Sequence, residues 1–76
     1  MSVEAGTRNV LKVIELVGVS PTSWSDAARK AVAEASRTIH GITGVDVLRS
    51  TAVVDNGEIK EYHVNVKIAF VVEREG

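Results

Sequence analysis

The sequence predicts an α+β fold of order β-α-β-β, in which a three-stranded antiparallel sheet is partly wrapped around one amphipathic helix. The observations behind this prediction are a hairpin signal at Asp55-Asn56-Gly57, strict period-two alternation after it, and one stretch of helical periodicity before it. The 76 residues suffice for one domain, which we place at 10–74. Residues 1–9 are expected to form a disordered N-terminal tail.

The first strand is predicted from residues 10–17, which read VLKVIELV and are rich in β-branched side chains. Residues 18–23 contain glycine, proline, serine and threonine and are expected to end that strand. A helix of about 17 residues should follow, ended by Gly41 and Gly44. Its predicted apolar side consists of Trp24, Ala27, Ala28, Ala31, Val32, Ala35 and Ile39.

Two capping arrangements are open at the start of this helix. Ser23 is a suitable N-cap, with Asp26 three residues later as its capping-box partner. Alternatively, Ser20 caps the helix and Pro21 occupies the first helical position.

The second strand is predicted at 45–54 and the third at 58–73, joined by the Asn56-Gly57 turn. In the third strand the even positions from Tyr62 to Val72 are all apolar, which predicts one face on a core and one face partly wet. Simple pairing across the turn places Val53 opposite Lys60, Thr51 opposite Tyr62, Val47 opposite Val66 and Gly44 near Ala69. The helix is expected to cover Val45 and Val47 together with Val66 and Ile68.

This hairpin is too long for one helix to cover. A 17-residue helix is about 25 Å long, whereas a 16-residue strand reaches roughly 50 Å at 3.3 Å per residue. Because the chain has no cysteine, disulfides cannot stabilise it. The overhang therefore predicts assembly with other copies of the chain.

Composition excludes several classes of function. Nine basic and ten acidic residues give the chain a net charge of −1. A chain without excess positive charge is not expected to bind nucleic acid through bulk electrostatic attraction. No apolar run approaches the roughly 18 residues of a membrane span, and the N-terminus does not resemble a targeting signal. We expect a cytoplasmic protein that binds neither nucleic acid nor membrane.

The sequence also contains no recognisable catalytic motif. His40 and His63 are not accompanied by a nucleophile elbow, and no phosphate-binding or EF-hand loop is present. We therefore expect a protein that is not an enzyme.

Three stretches together resemble a known family. Residues 13–24 read VIELVGVSPTSW, an alanine-rich helix follows, and residues 61–73 read EYHVNVKIAFVVE. With the β-α-β-β order and the chain length, this pattern resembles the dodecins over nearly the whole chain after Val10. The resemblance implies a non-enzymatic homododecamer, a hollow shell that binds, stores or sequesters a small ligand.

The ligand implied by the resemblance is a flavin (riboflavin or FMN) or, in the calcium dodecins, a calcium ion. The tryptophan and glutamine with which flavin-binding members hold the ring fall on Gly44 and His63 here. Tight flavin binding is therefore not expected. These two replacements and the SPTSW helix start are closer to the calcium dodecins.

Each of these two kinds of ligand has its own set of candidate site residues. A ligand pocket between subunits is expected to be lined by Gly44, His63, Asn65 and Lys67. For calcium, the first candidate ligands are Asp26 and Asp46, completed by the hydroxyls of Ser20 and Thr22 with carbonyls and water.

Overall fold

Three strands and one helix form the part of the chain that the computed structural model describes, residues 10–72. Strand β1 spans Leu11–Ser20, helix α1 Trp24–Ser36, strand β2 Ile42–Asp55 and strand β3 Glu58–Val71. The strands form one antiparallel sheet in the order β1-β3-β2, so β3 is central. The predicted fold class is confirmed. The predicted N-terminal tail and the predicted end of the third strand lie outside the described residues.

Strand β1 is longer than the sequence predicts, because Gly18 belongs to the strand and does not end it. A Cβ atom added to Gly18 would lie 2.0 Å from the carbonyl oxygen of Ala27 and 3.2 Å from the Cβ of Ala31. Helix α1 therefore approaches β1 so closely that only glycine fits at this position.

The core lies between one side of α1 and the middle of the sheet. Within the described residues, the buried hydrophobic side chains are Ala27, Ala31, Ala35, Val64, Val66 and Ile68. The alanines recur every four residues along the helix, and the other three alternate along β3, as the two sequence periods predict. Small helix residues thus face larger strand residues at short range.

Helix α1 begins as the first capping alternative predicts. Ser23 has an extended backbone, and its Oγ accepts a hydrogen bond from the Asp26 N–H at 3.0 Å. The second half of a capping box is absent, because the Asp26 carboxylate accepts from the Ser20 hydroxyl and the Ser23 N–H donates to Ser20 Oγ at 3.3 Å.

The helix ends earlier than predicted, at Ser36. The N–H of Arg37 donates to the carbonyl of Glu34, three residues back, which tightens the last turn. Gly41, with φ of +79°, lies five residues beyond the helix and shapes the start of β2; its carbonyl accepts from the Val71 N–H at 3.0 Å. The prediction that glycines end the helix was wrong.

Strands β2 and β3 are joined by the predicted turn, with Asn56 at φ 57° and Gly57 at φ 75°. Positive φ at both central residues is the type I′ geometry that matches the twist of a hairpin. Strand β2 starts at Ile42, before the predicted start at residue 45, and continues to the turn. Strand β3 begins directly after the turn, at Glu58.

The register of this hairpin departs from simple pairing. The pairing of β2 with β3 is irregular between Ile42 and Gly44, between Val47 and Arg49, and between Val53 and Val54, where the extra residue belongs to β3. Each extra residue shifts the register by one position. The predicted pairs Val47 with Val66 and Gly44 with Ala69 are confirmed, whereas Thr51 pairs with His63 instead of Tyr62 and Val53 pairs with Glu61 instead of Lys60.

Helix α1 lies over β1 and β3 and leaves most of β2 uncovered. Val45 and Val47 remain 45% and 58% exposed, so the prediction that the helix covers them was wrong. Thirteen helical residues extend only about 20 Å, whereas the described chain is 57 Å long. Trp24 connects the helix to β2: its Nε1 donates to the Thr51 carbonyl at 2.8 Å.

Large apolar side chains are exposed on both faces of the sheet. Those of the described residues are Val10, Leu11, Val13, Val17, Val19, Trp24, Val45, Val47, Leu48, Val53, Val54 and Ile59. Scattered exposed apolar residues are normal, but so many on so small a fold indicate surfaces suited to a protein partner. Helix α1 is not long and apolar enough to cross a membrane.

The contact between Gly18 and Ala27 gives a stability prediction. Replacing Gly18 with alanine forces its Cβ against backbone, which cannot rotate away, so we expect a loss of about 2 kcal/mol or more in the free energy of unfolding. The measurement is urea denaturation at fixed chain concentration, because the assembly that the sequence predicts would make stability depend on concentration.

The matched control is Gly44→Ala, since an added Cβ there meets nothing within 4 Å. It should change the unfolding midpoint little. Equal effects of the two substitutions would contradict close helix packing as the reason for Gly18.

Candidate functional site

The sheet has a second face, turned away from α1, which we call the outer face. It is formed by alternate residues of each strand, offset by one from those buried under the helix. Its residues are Val13, Glu15, Val17 and Val19 of β1, Gly44, Asp46, Arg49, Thr51 and Val53 of β2, and Glu61, His63, Asn65, Lys67 and Ala69 of β3.

The four predicted pocket positions all lie on this outer face. His63, Asn65 and Lys67 are successive outer residues of β3, and each is half-buried between the flanking strands. Gly44 pairs with Ala69, one step beyond Lys67. Successive residues on one face are about 7 Å apart along a strand, so the four positions span roughly 20 Å.

Charged residues are concentrated in the middle of the outer face. Lys67 is opposite Asp46 on β2 and Glu15 on β1, so a carboxylate flanks it on each side. Two steps along β3, beyond Asn65, His63 Nε2 lies 2.9 Å from Glu61 Oε1, in a hydrogen bond along the same strand. Two of the basic groups on this face therefore have acidic neighbours on the same face.

Arg49 also lies on the outer face, which the sequence analysis did not find. Simple alternation from the turn pairs it with Val64, on the helix side, but the irregularity between Val53 and Val54 shifts it opposite Asn65, and the irregularity between Val47 and Arg49 restores the simple register at Val47. The other neighbour of Asn65, on β1, is Val17. No feature of the sequence marks the bulge, so Arg49 became a candidate only with the structure.

Apolar residues surround this polar centre. Val17 and Val19 of β1 are largely exposed, as is Val13 nearer the other end of the face. A polar centre with an apolar margin is suited to a surface that another chain covers, provided that the polar groups find partners.

The candidate calcium ligands Ser20 and Asp26 form a compact cluster at the start of α1. Ser20 is fully buried, and its hydroxyl donates to Asp26 Oδ2 at 2.6 Å. The same oxygen of Ser20 accepts the backbone N–H groups of Thr22 and Ser23 at 2.9 and 3.3 Å. One donor and two acceptor sites are the full capacity of a hydroxyl, so Ser20 has no lone pair left for a metal in this arrangement.

Asp26 is held in its charged form by two neighbours. The hydrogen bond from Ser20 and, second, the Lys30 ammonium 3.3 Å from Oδ2 lower the pKa of the Asp26 carboxyl below its usual value. The cluster is thus satisfied within the chain and serves to fix the start of the helix.

Asp46 lies far from this cluster. Ser20 pairs with Tyr62 and Asp46 with Lys67, five residues apart on β3, or roughly 17 Å at 3.3 Å per residue. Among residues 10–72 no group of three or more histidine, cysteine or acidic side chains is placed to hold a metal ion. Within one chain, the four candidate ligands do not come together.

A separate cavity of about 340 Å³ lies at the other end of the helix. It is lined by Lys12, Thr38, Ile39, His40, Phe70, Val71 and Val72. His40 belongs to this cavity and not to the outer face.

Comparison with known proteins identifies the class to which this fold and face belong. Residues 10–73 match the Dodecin family model, so the chain belongs to the dodecin family. The chain is 34% identical over 62 residues to the calcium dodecin of Mycobacterium tuberculosis, a match that covers 82% of this chain and 87% of that protein.

Solved structures support the same assignment. The dodecin of Streptomyces coelicolor superposes with a TM-score of 0.83 at 29% identity, over 87% of this chain and 94% of that one. The crystal structure of the M. tuberculosis calcium dodecin, described as a calcium-chelating antigen with a novel calcium-binding site, gives 0.74 at 34% identity, over 88% and 96%.

The Asp26 cluster predicts a pH dependence of stability. Because folding lowers the pKa of Asp26, its contribution is present above the usual pKa of 3.8 and is lost as the pH falls through the folded value. Asp26→Asn should therefore lower the urea midpoint at pH 7, and the difference from the unsubstituted chain should shrink below about pH 4.

The control is Glu34→Gln, which removes the same charge from the same helix but only an exposed ion pair with Arg37. Its effect should be small at both pH values. If the Asp26→Asn difference persists unchanged at pH 2, the carboxylate is not the origin of the stabilisation.

Proposed function

We propose that this chain is a cytoplasmic, non-enzymatic binding protein that assembles as a homododecameric shell and holds a small ligand between subunits. The observation that carries the proposal is the large apolar surface left exposed on a long sheet by a short helix. Membership of the dodecin family supports the proposal. The M. tuberculosis calcium dodecin, to which the chain is similar, is named after an ion and not after a catalysed reaction.

The energetics of the single chain support assembly. Within residues 10–72, three of the six buried hydrophobic residues are alanines, which remove little apolar area from water. Covering exposed valines and leucines contributes roughly 25 cal/mol per Å² of apolar surface. A second subunit on the sheet supplies the burial that the helix does not provide for β2.

Assembly is tested by size. Light scattering of the purified chain at micromolar concentration should give a mass about twelve times that of the 8.1 kDa protomer. The apolar surface should then be inaccessible to dyes that bind exposed hydrophobic patches. A monomer or simple dimer at that concentration would show the proposal to be wrong.

We place the ligand site on the outer face. Gly44, His63, Asn65 and Lys67 lie together there, and the apolar residues around them require cover by another subunit. The site is therefore a cleft between two sheets and not a pocket within one chain.

Calcium is one candidate ligand, favoured by the similarity to the M. tuberculosis calcium dodecin. Calcium takes six to eight oxygen ligands, more than the separated carboxylates Asp26 and Asp46 supply within one chain. Ligands from neighbouring subunits would have to complete such a site. A melting temperature that rises with added calcium and falls with chelator distinguishes this candidate from an organic ligand.

The alternative ligand is a flavin, either riboflavin or FMN. It leads to a prediction that tests where the ligand pocket lies. The double substitution Gly44→Trp and His63→Gln should restore a ring stack and an amide, and raise flavin affinity about tenfold, or 1.4 kcal/mol. Gly44 has room, since nothing lies within 4 Å of an added Cβ.

The measurement is quenching of flavin fluorescence on titration with each variant. Gly44→Ala with His63→Gln is the control, because it lacks the aromatic ring. If the double variant assembles normally and binds flavin no better, the pocket is misplaced.

A further inference from the structure

The β-bulge between Val53 and Val54 shifts Arg49 to the outer face, where it is a cation with no acidic neighbour directly opposite it. Among residues 10–72, the ion pairs are Asp26–Lys30, Glu34–Arg37, Glu58–Lys60 and Glu61–His63. Lys67 has carboxylates at both cross-strand positions, but Arg49 has Asn65 and, beyond it, Val17. The row of His63, with Val19 and Thr51, also contains no carboxylate, but His63 pairs with Glu61 along β3, whereas Arg49 is in none of these ion pairs.

Three neighbours of Arg49 can support the binding of an anion, while the carboxylates of the face, Glu15, Asp46 and Glu61, lie in other rows, beside Lys67 or His63. Asn65, directly opposite, carries an amide that donates hydrogen bonds, and Lys67 and His63 lie about 7 Å to either side of Asn65 on β3. A guanidinium binds carboxylate and phosphate oxygens through two parallel hydrogen bonds. When a second subunit covers the face, an unpaired arginine becomes costly, so the covered site requires an anion.

We propose that Arg49, with Asn65, binds the anionic group of the ligand, and that this site takes small molecules carrying a phosphate or carboxylate in preference to neutral ones. This inference rests on the proposed site on the outer face. It adds the ligand class, and it assigns specificity to a residue that the bulge, and not the strand alternation, brings to the site.

The test uses two probes that differ only in a phosphate, riboflavin and FMN. Both are titrated against Gly44→Trp, His63→Gln chains with and without Arg49→Met. We expect FMN to bind about tenfold more tightly than riboflavin when Arg49 is present, and equally when it is methionine. Arg49→Lys should retain part of the preference, and raising the salt concentration should weaken only FMN.

The matched control is Arg29→Met, which removes the same charge from an exposed position on α1. It should leave the FMN preference unchanged. If the Gly44→Trp, His63→Gln background raises flavin affinity but Arg49→Met does not alter the ratio of FMN affinity to riboflavin affinity, the proposed anion site is wrong. The proposed position of the pocket is then retained.

If neither flavin binds better in the Gly44→Trp, His63→Gln background, the placement of the pocket fails, and the inference fails with it. If Arg49→Met instead reduces the mass measured by light scattering, the guanidinium pairs with a carboxylate of a second copy. That result also overturns a role in ligand binding.

Discussion

The close approach of helix α1 to strand β1 at Gly18 determines the rest of the architecture. The helix carries alanine at Ala27, Ala31 and Ala35, so nothing on its buried side holds it away from the sheet. A glycine in the strand lets the helix backbone come nearer still. This short-range packing positions the helix over β1 and β3 and leaves β2 beyond its reach.

The small separation of helix and sheet limits what the single chain can bury. Alanine contributes little area, and the larger buried side chains of β3, Val64, Val66 and Ile68, belong to one strand. A core of this size is marginal without disulfides or metals. In the proposed assembly, contacts between subunits cover the exposed apolar residues of β2 and of the outer face and complete a core that one chain begins.

Much of this fold is predictable from sequence because its signals are local. The Asn56-Gly57 turn, the alternation along β3 and the alanine periodicity each act over a few residues, and all three appear as expected. The ends of elements are less predictable. Gly18 has the composition of a turn but lies in a strand, since its role is set by a helix carbonyl nine residues later in the chain.

The residues of the candidate site also divide into those that local sequence patterns locate and those that they do not. His63, Asn65 and Lys67 share a face because β3 is regular, so strand periodicity alone locates them. Arg49 requires knowledge of the bulge between Val53 and Val54, where Lys60 of β3 has no partner and which has no sequence signature.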